Sequence, residues 1–200
     1  MSDLRVTMVP VGRMDGAEVE AAGLRVSKII NTAVELREPA PMPKASEDTT
    51  RGQHRTTPFL AELRAALGRL KVQKALGGTA DPTAAAAPSS GLSIFVTDAD
   101  LFTPTTDAVF GDLDAAHQAA VVSVRRLREA FYRRKADPAR QRSRLVKVTL
   151  HAIGRIRGLA DCRDPRCALS GTLSLADIDI KEERYCVACW KGLSTGRFRI

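Results

Sequence analysis

Aromatic side chains are scarce in this sequence, at 4% of its residues, so its core has to be built mostly from Val, Leu, Ile and Ala. Long apolar runs are missing too. No stretch approaches the roughly 20 apolar residues that a membrane-spanning helix needs, and no membrane partner is expected. The opening residues, MSDLRVTMVPVG, lack the basic-then-apolar pattern of a secretory signal, which makes a cytoplasmic protein the expectation. In a reducing compartment disulfides are disfavoured. What remains is a balance of 44% hydrophobic and 27% charged residues, that of a globular protein. Its 200 residues suit one domain, or one domain with a small appended subdomain, and a monomer is expected.

Acidic residues are few against the basic ones, and the formal net charge is +8. Much of the excess lies in residues 125–144, where Arg125, Arg126, Arg128, Arg133, Arg134, Lys135, Arg140, Arg142 and Arg144 face only Glu129 and Asp137. Such a patch can contact phosphates. A solvated loop and helix face is the favoured reading, because only Phe131 and Tyr132 supply aromatics and no nucleic-acid-binding motif accompanies them.

Along the chain, residues 4–11 read as a first strand ended by Gly12. Asp15 can cap a helix over residues 16–31, with Val19, Ala22, Val26, Ile29 and Ile30 on one stripe. A short strand at 34–36 precedes a proline-rich irregular stretch. Arg51-Gly52-Gln53-His54 then leads into an amphipathic helix over 57–70, with Pro58 in its first turn and Leu60, Leu63, Leu67 and Leu70 inward; His54 reads as a loop residue. Residues 77–91 are low-complexity and suit a surface loop. The run LSIFV at 92–96 is a buried strand, after which Asp98 and Asp100 read as turn caps. Residues 108–112 and 119–124 are two further strands, with His117 in the turn between them and without a partner. From Asp137-Pro138 a helix is expected to run to Gly158, and residues 194–200 read as a tail.

The four cysteines all lie near the C-terminus, as Cys162-x4-Cys167 and Cys186-x2-Cys189. Each close pair can bring two thiolates to one point, and the intervening loop can close a tetrahedral four-sulfur zinc site. Two disulfides, or four unrelated buried thiols, are the plainer alternatives. Just before them, His151-Ala152-Ile153-Gly154-Arg155-Ile156-Arg157-Gly158-Leu159-Ala160-Asp161-Cys162 keeps the frame of the zinc-protease motif H-E-x-x-H-x-x-G-x-x-H. The first histidine and the glycine are in place, whereas the glutamate is Ala152, the second histidine Arg155 and the third Asp161.

In frame and spacing this segment resembles the archaemetzincins, metzincin-clan zinc peptidases that carry a second, four-cysteine zinc. In that family the motif runs directly into the first cysteine, and a methionine follows two residues after the second; Leu169 stands there in this sequence. The run Arg51-Gly52-Gln53 before a helix and the run 97–101 after a strand are also similar to the family. The resemblance implies an α/β (α+β) protein, a twisted mixed sheet with helices above a small zinc-clamped C-terminal subdomain. On that pattern residues 1–158 form a sheet-and-helix part ending in the active-site-type helix, and residues 159–200 the four-cysteine part of one compact domain. It also implies that peptide adds as a strand to the rim of a cleft, at Val109, Phe110 and Gly111.

The departures from the motif fall on the chemistry. A catalytic zinc needs three protein ligands and one position for water, and the glutamate takes a proton from that water. Ala152 cannot act as a base, and the guanidinium of Arg155 is always charged and repels a divalent cation. Asp161 could still offer an oxygen ligand. His151 reads either as an ordinary helix histidine or as a remnant metal contact. The frame brings positions 151, 155 and 161 together, so Arg155 is expected to pair with Asp161 where the zinc would lie. Beyond roughly 4 Å that idea fails.

The reading that follows is an inactive archaemetzincin-like protein with one structural zinc on Cys162, Cys167, Cys186 and Cys189, no catalytic zinc, and a cleft for a peptide or protein segment. A residual zinc hydrolase using His151, Asp161 and a third ligand is one alternative. A basic nucleic-acid-binding protein on the same scaffold is the other.

Overall fold

The structure, a computed structural model, describes residues 4–75 and 91–195. The expected loop at 77–91, the inward placement of Leu70 and the tail lie, but for their edges, outside the described residues. Strand β1 (Val6–Val11) leads to α1 (Gly16–Ile30), whose first turn is capped by Asp15, accepting a hydrogen bond from the Ala17 N–H at 2.9 Å. The helix stops at Asn31, which takes the left-handed conformation that asparagine tolerates. There follow β2 (Val34–Leu36), β3 (Glu47–Asp48), β4 (Gln53–Arg55), α2 (Thr56–Ala75), β5 (Leu92–Thr97), β6 (Leu101–Thr103), β7 (Thr106–Val109), β8 (Gly111–Asp114) and β9 (Ala119–Ser123). Helices α3 (Pro138–Ile156), α4 (Leu175–Ile180) and α5 (Val187–Thr195) complete the chain.

Five strands form the main sheet in the order β2-β1-β5-β9-β8. The first four run parallel, and β8 lies antiparallel at the edge. Alternation along each strand divides the core between the two faces. Met8, Ile94 and Val122 face α1 and α3, while Val9, Phe95 and Val121 face Phe59, Leu60 and Leu63 of α2. Burial on both faces explains why LSIFV reads as a continuous apolar run. The first of these clusters continues without a break past α3 to Cys167, Leu169, Ile178, Tyr185 and Leu193. The C-terminal piece is thus packed directly against the helix that carries His151.

Several local expectations are corrected. The strand expected at 108–112 is two strands: β7 belongs to a second, four-stranded sheet (β3-β4-β6-β7), and the chain changes sheets at Phe110. Val109 therefore lies on β7 and Gly111 on β8, each the last strand of its own sheet, with Phe110 between them. The proline-rich stretch is not wholly irregular, since Ala40 bridges Val11 and β3 pairs with β4. His54 sits on β4 rather than in a loop, its Nδ1 2.8 Å from Ser46 Oγ. His117 does have a partner, the Asp114 carboxylate at 2.9 Å. Asp100 is no turn cap: it accepts from Arg126 Nε and Nη2 at 2.6 and 2.8 Å and from Gln53 Nε2 at 3.1 Å. Thr97 caps that turn instead, accepting from the Ala99 N–H.

The basic run is not a uniformly solvated face either. Arg144 is fully buried. Its guanidinium forks onto Asp179 of α4 at 2.7 Å through both Nε and Nη2, reaches Glu129 at 2.6 Å, and donates to the Leu127 carbonyl at 2.8 Å. One planar cation with five donors can satisfy partners from three segments at once, which lysine cannot.

This cluster makes stability depend on pH in the acid range. Hydrogen bonding to Arg144 holds the Asp179 carboxyl below its ordinary pKa; burial raises that of Glu129, but Arg144 outweighs it and the net shift is also downward. Groups depressed on folding contribute stability that is present above the unfolded pKa, near 4, and is lost as pH falls through the folded one. Asp179→Asn should therefore lower the urea midpoint at neutral pH, and the gap from the parent should close as pH falls from the unfolded pKa through the lower folded one. A gap that stays constant with pH would show that the carboxylate charge is not what holds α4.

Candidate metal centre and cleft

Helix α3 begins where Asp137 accepts from the Arg140 N–H at 2.9 Å, with Pro138 in its first turn. Its last turns present His151, Ala152 and Arg155. The helix ends at Ile156, and Gly158, in the left-handed region at φ 81°, lets the chain turn back with its N–H on the Arg155 carbonyl. That reversal carries Asp161 under the helix, so that its Oδ1 lies 3.6 Å from Arg155 Nε and 3.8 Å from His151 Nε2. The first of these distances is within the limit set above for a pair. Arg155 also donates to the Leu159 carbonyl at 3.0 Å, which ties the guanidinium to the turn itself.

The charge around this point is positive. Lys181 is buried and donates from Nζ to the Ser170 carbonyl at 2.5 Å and to Thr172 Oγ1. Burial lowers its pKa to about 8 against the pull of Asp161. Burial first, then the charges of Lys181 and Arg155, lower the His151 pKa to about 4 despite Asp161, so the imidazole is neutral at pH 7. Nothing in the sequence marked Lys181: it stands in a charged run, and only the fold turns it inward.

Two buried contacts support the helix from below. Leu169 is fully buried beneath Gly154, where an added Cβ would come within 2.5 Å of Leu169 Cδ1. Tyr185, also buried, donates its hydroxyl to the Leu150 carbonyl at 2.5 Å. Both residues come from the cysteine-bearing piece, so the position of His151 depends on how that piece is folded.

The four cysteines are free thiols whose sulfurs all lie within 4.8 Å of one another. Cys162 and Cys186 approach to 3.7 Å, close to the roughly 3.8 Å edge of a tetrahedron with 2.3 Å zinc–sulfur bonds. Cys167 Sγ accepts N–H bonds from Leu169 and Cys186, at 3.5 and 3.3 Å, as a thiolate bound to a cation would. The first pair comes from the loop after α3 and the second from the start of α5. The donor set fits zinc. Among the described residues no other group of three or more His, Cys, Asp or Glu side chains converges this way. The positions at His151, Arg155 and Asp161 offer one nitrogen, one guanidinium and one carboxylate, and that set does not fit zinc.

Beside His151 lies a cavity of about 330 Å³. The edge strand β8, with Val121 and Val122 behind it, forms one wall, Val148, His151 and Ala152 of α3 form the floor, and Thr172 and Leu173 form the opposite side. Leu173 is 97% exposed on that rim. The Arg51-Gly52-Gln53 run stands behind β7: Arg51 pairs with Asp107 at 2.7 Å, and Gln53 donates to the Asp107 carbonyl at 2.9 Å.

Comparison with known proteins places this arrangement. An archaemetzincin from Methanocaldococcus jannaschii is 35% identical over 98 residues, a match that spans about half of each chain, 49% of this one and 55% of that one. The archaemetzincin from Natronomonas pharaonis is 24% identical over 189 residues, 93% of this chain and 97% of that one. Among solved structures, a zinc-dependent peptidase from Methanocorpusculum labreanum superposes with a TM-score of 0.81 at 23% identity, covering 94% of this chain and 99% of that one. The archaemetzincin from Archaeoglobus fulgidus, solved with malonate, gives 0.71 at 24% identity, covering 96% and 99%. The fold is therefore the mixed α/β fold of these peptidases. The model of Peptidase family M54 matches residues 29–195, from the end of α1 through the second cysteine pair. By that match the chain belongs to the archaemetzincins, peptidase family M54.

Proposed function

We propose that this archaemetzincin binds a peptide or protein segment in its cleft without hydrolysing it, and that its one zinc is structural. The observation that carries the reading is Arg155, held against Asp161 and the Leu159 carbonyl at a position where the motif has a zinc-ligating histidine. A fixed cation there repels a second one, and Ala152 on the cavity floor has no group to take a proton from water. The four thiolates would hold zinc in a closed tetrahedron; such a site supplies folding energy and leaves no coordination position for a reacting water.

The cleft keeps what binding needs. Strand β8 ends its sheet, so an extended segment can pair with its free edge and add a strand. The cavity beside it, lined by Val109, Leu113, Val148 and Ala152, accepts an apolar side chain of that segment. The alternative of a residual hydrolase would need a further ligand beside His151 and Asp161.

Incubating the purified protein with a mixed peptide library and added zinc should give no cleavage above background. Ala152→Glu alone should remain inactive, since it restores a base and no metal. Ala152→Glu, Arg155→His and Asp161→His combined should raise the zinc content from one to two per chain. Zinc-dependent cleavage by the unaltered protein, lost in His151→Ala, would overturn the reading. A second zinc in the unaltered protein would do so as well.

A further inference from the structure

Ahead of α3 the chain makes two 3₁₀ turns, Arg125–Leu127 and Glu129–Tyr132, that take no part in the cleft. The one acid of this stretch, Glu129, is buried and serves the interior through Arg144, with Arg134 at 3.0 Å and Arg140 at 3.5 Å on its outer side. Arg126 is taken up by Asp100. Four cations are then left over. Arg125, Arg128, Arg133 and Lys135 have no carboxylate within ion-pairing distance among the described residues.

Between them lie two exposed rings. Phe131 and Tyr132 are 38% and 36% exposed and meet edge to face at 5.1 Å. The Arg126 guanidinium lies over Phe131 at 4.8 Å and that of Arg134 over Tyr132 at 5.0 Å. The Tyr132 hydroxyl donates to the Arg126 carbonyl at 3.1 Å, which fixes the ring. Arg133 stands at φ 58°, a left-handed conformation uncommon for any residue but glycine, asparagine or aspartate. It is held there as its N–H caps the turn on the Ala130 carbonyl, and the reversal leaves Arg133 and Lys135 in solvent.

We infer that residues 125–135 form a docking surface for single-stranded nucleic acid. Arg125, Arg128, Arg133 and Lys135 contact phosphates, and bases stack on Phe131 and Tyr132. Charge alone would suit any polyanion. The rings decide for a single strand, because unpaired bases offer the π faces that such platforms take, while a duplex hides them and an acidic peptide lacks them.

The test is fluorescence anisotropy with labelled single strands of RNA and of DNA about 12 nucleotides long, and with the matching duplex, between roughly 50 and 200 mM salt. Either single strand should bind at least about tenfold more tightly than the duplex. Each phosphate contact contributes about −0.7 to the slope of log K against log salt, so four give roughly −3. Arg128→Gln, Arg133→Gln and Lys135→Gln combined should flatten that slope by about 2. Phe131→Leu with Tyr132→Leu should weaken binding about tenfold and leave the slope unchanged. Both variants should keep the parent's zinc content and far-UV circular dichroism, because these side chains lie outside both buried clusters. No binding near 50 mM salt would overturn the proposal. So would equal affinity for duplex and single strand with the ring variants neutral, which would mark a merely charged surface.

Discussion

Cys167→Ser is expected to release the zinc and to loosen everything after α3 while the five-stranded sheet stays folded. Cys167 is the most buried of the four cysteines, and its sulfur accepts two backbone N–H bonds, from Leu169 and Cys186. Serine would put a harder, poorer ligand there and leave three thiolates to close the site. Structural zinc in small modules supplies about 10–16 kcal/mol of binding energy that is also folding energy. The helices of the C-terminal piece are short, α4 of 6 residues and α5 of 9, so their packing against α3 replaces only part of it. Loss of the metal should free Leu169 and Tyr185 from beneath Gly154 and Leu150, so the end of α3 loosens as well. Limited proteolysis should cut the variant after residue 158 at protease levels that leave the parent intact, and metal analysis should fall from one zinc per chain to none. A variant that resists protease like its parent, or a parent with any of these sulfurs in a disulfide, would refute the assignment.

Arg144→Met should be among the most costly single substitutions elsewhere in the chain, at about 3–5 kcal/mol, the usual cost of removing one partner of a buried ion pair. Arg144 is the largest fully buried side chain among the described residues, and it links α3 to α4 and to the turn that holds Glu129. Without it a buried carboxylate keeps its desolvation cost and loses its counter-charge. Arg144→Lys should recover only part of the loss, since an ammonium cannot reach Glu129, Asp179 and the Leu127 carbonyl in one fork. Urea unfolding followed by far-UV circular dichroism reads the difference directly. A lysine variant as stable as the parent would show that charge, and not fork geometry, is what the cluster requires.

The reading of Arg155 and the reading of Arg144 differ in a way that the sequence could not show. Both are arginines on α3, eleven positions apart, and both look like members of one basic face. Arg155 could be placed because a motif frame fixes which residue it meets, six positions on, after a glycine turn. Arg144 meets Asp179, 35 residues away, and Glu129 across a loop. No local period records that meeting.

What the sequence determined by itself was whatever depends on near neighbours along the chain. Alternating and continuous apolar runs set β1, β5 and β9; Asp15 and the Asp137-Pro138 pair set helix starts; two close cysteine pairs set a cluster of four thiols, and the frame from His151 to Asp161 set the meeting of those side chains. The tertiary structure alone decided the rest. It split the strand expected at 108–112 at Phe110, because β7 and β8 pair with different sheets. It turned Lys181 inward onto Ser170 and Thr172, and drew Asp100 to Arg126. In each case a polar group found partners distant in sequence, and a buried charge is stable only where the fold brings such partners to it.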